Sequence, residues 1–281
     1  MMRVLCLAGI ICLYLPAVAQ KEGHEIADRL FVTWGYNRAY YDKSDVHFKG
    51  EHYDFTLHDA RAEDMPEKFK PDVYFNPTQF TVPQFNFRAG YYFRPNTAIS
   101  IGWDHMKYHL VPTQLVKISG YIDEEYYFLD EFNGTFNGES IIYQPSFMDY
   151  HHSDGFNFIR MALEQRLLLC VSKNGKHLLA FNGSVSLGAV MPWTDFTFFG
   201  QHHRNKPHFA GYGVSAHAGF RYEFFRHFFI QATAQFGYTN LPDIMLEDHL
   251  PSRASQQIIF FERAWALGAY IPIKFKRKIE D

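Results

Sequence analysis

The sequence predicts an antiparallel, up-and-down transmembrane β-barrel of about eight strands, and three observations carry that prediction. An export-type leader opens the chain. Aromatic residues make up 18% of it while the mean hydropathy is only −0.26, a pairing expected when apolar and polar residues alternate and no segment is uniformly greasy. Beyond the leader, period-two alternation recurs in segments joined by short turns and long connections in turn.

The leader consists of Met1, Met2 and Arg3, an apolar run over residues 4–15, then Pro16 and the small triplet Ala17, Val18 and Ala19. That order is a secretory signal with cleavage expected after Ala19. The apolar run falls short of the roughly 20 residues a spanning helix needs. Ile11 before Cys12 and Leu5 before Cys6 argue against lipidation. The expected division is therefore a signal peptide at 1–19 and one barrel domain at 20–281. Cys170 is left as the sole cysteine of the mature chain, so no internal disulfide forms. The 27 Lys and Arg against 30 Asp and Glu give a net charge of −3, which offers no basic footprint for nucleic acid. Past the leader no apolar run reaches spanning-helix length, so any crossing is made by strands.

The first strand places Leu30, Val32, Trp34 and Tyr36 on one face against Thr33, Gly35 and Asn37 on the other. Residues 84–94 set Phe85, Phe87, Ala89, Tyr91 and Phe93 against Asn86, Arg88 and Gly90; Pro95 and Asn96 turn the chain, and Ile99, Ile101 and Trp103 follow with Ser100, Gly102 and Asp104 behind. The next pair runs over residues 158–171, with Ile159, Met161, Leu163, Leu167 and Leu169 opposite Arg160, Glu164 and Arg166, and returns through the turn at Lys173, Asn174 and Gly175 to residues 179–191. A third hairpin joins residues 212–224 to 228–238 through Arg226 and His227. Phe261, Trp265, Leu267, Ile271 and Phe275 face away from Glu262, Ala264 and Lys274 in the last strand.

Turns at Pro95, Asn174 and Arg226 are tight, whereas residues 42–79, 111–154, 193–207 and 241–256 form long connections. Short turns on one side and long loops on the other orient the barrel, and an even count of eight closes it; ten is the alternative. Alternation over residues 46–58 and 114–122 reads as strand extensions and hairpins above the membrane. Leader, hairpin series and loop asymmetry together resemble the small eight-stranded OmpX/OmpA-type barrels of Gram-negative outer membranes. The resemblance covers nearly the whole mature chain as a pattern, without a family-specific motif, and the tail beyond Phe275 departs from the usual aromatic end. It implies an outer-membrane location, with membrane lipid and lipopolysaccharide as surroundings and another envelope protein as a candidate partner.

An eight-stranded barrel encloses only enough space for side chains. Arg88, Asp104, Arg160, Glu164, Arg166, His217, Arg221, Glu223, Glu262 and Lys274 are therefore expected as a paired plug, with no open pore. Asp104, where a strand leaves the membrane, reads as a lumen cap. Gly211, Gly213 and Ala216 spell G-x-G-x-x-A, but alternation runs through them and no helix follows, so no dinucleotide site and no cofactor is expected.

Histidine is frequent, with 15 in the chain. His47, His52, His58, His109, His151, His152, His202, His203, His208 and His249 fall in the long connections without metal-ligand spacing, and are expected as solvated loop residues with no metal. His151 and Ser153 share the outward parity of Ile159 and Met161. A serine beside a histidine base attacks esters when an acid, here Asp149 or Glu139, orients the imidazole. That arrangement is similar to the His-x-Ser feature of lipid A deacylase barrels and makes His151 and Ser153 the candidate catalytic pair of an alternative function. The leading expectation is a structural or surface-interaction barrel; the third is a subunit of an envelope assembly. Residues 121–132, which combine five acids with Tyr126, Tyr127, Phe128 and Phe132, and Phe196, Phe198 and Phe199 are expected either as a contact surface or as packing that makes the loops a rigid cap.

Overall fold

The computed structural model describes residues 26–273, apart from 75, 80–81, 126–131 and 249–250. The leader, Lys274 and Phe275, His249, and the central aromatics of 121–132 lie outside the described residues. The strands in chain order are β1 (Arg29–Tyr41), β2 (Ser44–Lys49), β3 (Tyr53–Ala60), β4 (Ala62–Glu63), β5 (Phe85–Arg94), β6 (Thr97–Leu110), β7 (Gln114–Ile122), β8 (Gly134–Tyr143), β9 (Met148–Val171), β10 (His177–Pro192), β11 (Asp195–Phe198), β12 (Gln201–Arg204), β13 (Gly211–Phe224), β14 (Phe228–Met245) and β15 (Arg253–Pro272). Two short helical turns, Pro71–Tyr74 and Pro77–Gln79, interrupt them among the described residues.

Eight of these strands form a ring in the order β1, β5, β6, β9, β10, β13, β14, β15. β15 pairs back on β1 in antiparallel register from Arg29 opposite Pro272 to Tyr41 opposite Phe260, which closes the barrel. All eight coincide with segments of sequence alternation, and the count is eight and not ten. The three short turns lie at one end. At the β9–β10 turn, Asn174 Oδ1 accepts from the Lys176 amide at 3.0 Å and from Ser172 Oγ at 2.7 Å. At the β13–β14 turn, Phe225 and Arg226 both adopt positive φ, 56° and 62°.

Polarity within the ring is inverted relative to a water-soluble protein. Leu30, Val32, Trp34, Ile101, Met161, Leu187, Trp265 and Leu267 stand exposed on the outside, a belt that only hydrocarbon can cover without cost. Inside, the charges expected as a plug are buried wherever they fall among the described residues. Arg160 Nε donates to Asp104 Oδ2 at 2.6 Å and Arg166 clamps Glu223 through two bonds of 2.7 and 3.0 Å. Asn86 Nδ2 bridges Asp104 and Glu262, Ser100 donates to Glu164, and Arg88 donates to the His217 ring at 2.9 Å. Arg221 donates to Gln231 and to the hydroxyls of Tyr92 and Tyr270. Pairing is what makes so many buried charges tolerable.

The polarity then switches along single strands. On β9 the inward face carries Arg166, Glu164 and Arg160 below but Phe158, Phe156, Tyr150 and Met148 above, all buried. Its outward face runs from Leu163, Met161 and Ile159 to Ser153, His151 and Asp149. β6 changes between Asp104 and Met106, and β15 between Glu262 and Phe260. These levels mark where lipid gives way to water. Asp104 therefore does not cap the lumen: it is 0% exposed, at the centre of the charged network, with Met106 and Tyr108 continuing the inward face above it.

Above the switch the long connections are folded. β2 takes over the upper end of β15, pairing Val46 with Gln256, and a sheet β2-β3-β7-β8 extends from there. The β11–β12 hairpin joins the upper end of β9, with Asp195 opposite His151. Between these pieces lies one apolar core that includes Phe48, Phe55, Leu57, Ile118, Phe132, Phe147, Tyr150, Phe196, Phe198, Ile244 and Phe260. Phe48 stacks on Phe55 with centroids 5.2 Å apart and meets Tyr150 edge-on, also at 5.2 Å. Of the loop aromatics expected as surface or packing, Phe132, Phe196 and Phe198 lie in this core and Phe199 packs against it, so the cap has its own hydrophobic interior.

Candidate functional site

The cap is the part of the molecule that faces solution, and its outer surface is built by strands whose odd and even residues separate apolar core from polar exterior. Several of the histidines expected as solvated residues prove to be paired with acids. His47 Nε2 lies 2.8 Å from Asp54 Oδ1, His58 Nδ1 3.3 Å from Asp45, His202 3.2 Å from Asp195, His203 3.3 Å from Glu247 and His208 3.2 Å from Asp243. Asp45, Asp54, Asp195 and Asp243 sit on strands and Glu247 just beyond the end of β14, so sequence spacing conceals the pairs. The hydrogen bond from His47 is the main reason Asp54 is held below the usual carboxylate range. Among the described residues, no group of three or more His, Cys, Asp or Glu is arranged to hold a metal ion.

The densest pairing surrounds the candidate catalytic residues. Asp149 on β9 places Oδ1 2.9 Å from His109 Nε2 of β6 and Oδ2 3.6 Å from His151 Nε2, and the two imidazoles meet edge-on with centroids 5.3 Å apart. Burial works to raise the Asp149 pKa, but the His109 hydrogen bond and the nearby imidazoles outweigh it and lower it. Burial pushes the His151 imidazole below its ordinary value, against the pull of Asp149 and Asp195. The segment is strand throughout, so His151 and Ser153 do share the outward face. Asp149, one of the two acids expected as orienting group, is brought to His151. Glu139 is not; it lies on β8 and accepts from the Asn137 amide. Among the described residues, no hydrogen bond joins Ser153 to His151, and His151 Nδ1 is buried without a partner.

His152, next along the strand, points the other way. It lies 0% exposed in the cap core, stacked on Phe156 with centroids 5.8 Å apart and hydrogen-bonded through Nε2 to Tyr150 at 3.2 Å. Burial pushes its pKa down to about 3.

Sequence reasoning did not find the other exposed feature of the cap. Among the described residues, β8 is the edge of the upper sheet, paired on one side by β7 alone. On the outer face of that hairpin Leu115 is 72% exposed and sits opposite Ile142, 55% exposed, with Tyr121 further along. A signal was present in the alternation of residues 114–122, but nothing local told which face would lack a covering layer.

No family model and no curated protein matches the chain. Among solved structures it is similar to the outer membrane protein OprG from Pseudomonas aeruginosa, at 10% identity over 90% of this chain and 100% of that one, with a TM-score of 0.40. It is also similar to the outer membrane protein AlkL, at 10% identity over 92% and 97% with a TM-score of 0.41. Ail, the attachment invasion locus protein of Yersinia pestis, aligns at 10% identity over 88% and 100%, with a TM-score of 0.30. The chain is a closed eight-stranded transmembrane barrel. That statement stands on its own strand pairing and inverted polarity.

Proposed function

We propose that the chain is an integral outer-membrane protein that works as a surface-interaction barrel, its cap holding out a contact edge to a protein partner. The observation that supports this reading is the β7–β8 hairpin, which combines an unpaired strand edge with exposed Leu115, Ile142 and Tyr121. An open edge supplies backbone donors and acceptors for an added strand, and flanking apolar side chains supply selectivity. The export-type leader agrees with delivery to the outer membrane. The filled lumen leaves the outer surface as the place where such a protein acts. The test is capture from gently solubilised outer membrane with the native chain and with Leu115→Glu/Ile142→Lys. A partner held by the native chain and lost with the variant is expected; recovery of the barrel alone from both overturns the reading.

A second reading, hydrolysis of lipid esters by Ser153 with His151 as base, draws support from Asp149 standing 3.6 Å from His151. Ser153→Ala should then abolish any change in lipid A acylation that expression of the native chain produces. Identical lipid with and without the native chain counts against it.

A further inference from the structure

Tyr238 on β14 sits where two depressions of the outer wall meet. Below it an apolar trough of about 610 Å³ crosses the barrel wall, lined by Ile99, Met161, Val185, Val214, Ala216 and Phe236. Above it a polar groove of about 680 Å³ lies against the upper ends of β14, β15 and β2, lined by Lys43, Asp45, His47, Asp59, Asn240 and Gln257. Tyr238 lines both. Its cross-strand partner on β15 is Ile259, the last apolar residue of the outward face before Gln257 and Ser255. The two depressions therefore adjoin at the level where lipid gives way to water.

We propose that they form one binding site for a single glycolipid of the outer leaflet, with an acyl chain in the trough and an uncharged, hydroxyl-rich head in the groove. The trough continues the lipid-facing belt, so its occupant is a lipid chain. The head is specified by the groove. One lysine faces two aspartates there, and His47 is already engaged by Asp54 at 2.8 Å, so no net positive charge recommends a phosphate. Carboxylates, carboxamides and hydroxyls are instead the groups that accept from and donate to sugar hydroxyls.

The inference depends on the membrane-spanning fold and not on the role of the β8 edge, so either can fail alone. The test uses the full mature chain, purified in an amine-oxide detergent and exposed to dodecyl maltoside at limiting concentration, with retention read by native mass spectrometry. One retained maltoside per barrel is expected, at least tenfold over an amine oxide of the same chain length. Ala216→Trp fills the trough and Ser255→Trp fills the groove; each should reduce retention about tenfold, while Leu267→Trp, on the belt away from both, leaves it unchanged. Heat-modifiable gel migration establishes that each variant is folded. Absence of a retained maltoside, equal retention of the amine oxide, or retention insensitive to both filling variants overturns the proposal.

Discussion

His152 shows how one residue couples the cap to acidity. Its folded pKa, about 3, lies below the value of about 6.5 expected in an unfolded chain. As pH falls, the unfolded chain takes the proton first, so stability is complete above pH 6.5 and declines from there towards 3. Between pH 7.5 and 5 the loss should be about 2 kcal/mol. Urea unfolding of the barrel in micelles, followed by near-ultraviolet circular dichroism at both pH values, measures it. His152→Phe keeps the stack on Phe156, removes the titrating group and should flatten the dependence. In the lumen the corresponding single-residue test is Arg160→Met, which leaves buried Asp104 without its cation and should cost roughly 3–5 kcal/mol. Pairing it with Asp104→Leu should recover much of that loss, since a matched apolar pair no longer buries an uncompensated charge. Denaturant midpoints of the heat-modifiable band distinguish the outcomes.

At the scale of elements, the upper sheet depends on a close approach at Gly120. Its φ is +113°, and a Cβ there would stand 2.2 Å from the Asp54 carbonyl oxygen of β3. Gly120→Ala should therefore separate β3 from β7, costing on the order of 1–3 kcal/mol. Faster amide exchange in the β3–β7 ladder while the barrel ladders stay protected would be the observation. What the sequence disclosed differs between the two halves of the molecule. Barrel strands were legible because six of the eight are joined pairwise by tight turns, and a lipid-facing Ile159 or Met161 beside a lumen Arg160 fixes the parity. Residues 46–58 and 114–122 were legible as strands, but their partners were not. β2 pairs with β15, some two hundred residues away, and the same alternation serves membrane and cap with opposite meanings. His109 and Asp149 illustrate the site: the outward face of His151 could be counted off, whereas the acid reaching His109 from another strand could not. A bulge between Met106 and Tyr108 further shifts that register.

For the whole molecule the polarity switch acts as a ruler. Trp34 and Trp265 are exposed on the belt, at 38% and 67%, whereas Trp193 lies beyond β10 and donates to the Asn205 carbonyl within the cap. Single-tryptophan variants in bilayers of brominated lipid should show strong quenching for Trp34 and Trp265 and weak quenching for Trp193. Equal quenching of all three would misplace the boundary. The filled lumen also predicts silence in planar bilayer recordings.

β9 passes through both halves as one strand of 24 residues, and β15 does so over 20. Cap and barrel are thus spliced by continuous backbone and not joined by a linker. A load applied at the β8 edge would travel down these ladders as shear, the direction in which many hydrogen bonds must break together. Under force spectroscopy the cap should not detach in an event of its own; it should yield only as its carrying hairpins are drawn from the bilayer. A partner tugging on this protein would be pulling on the membrane anchor itself.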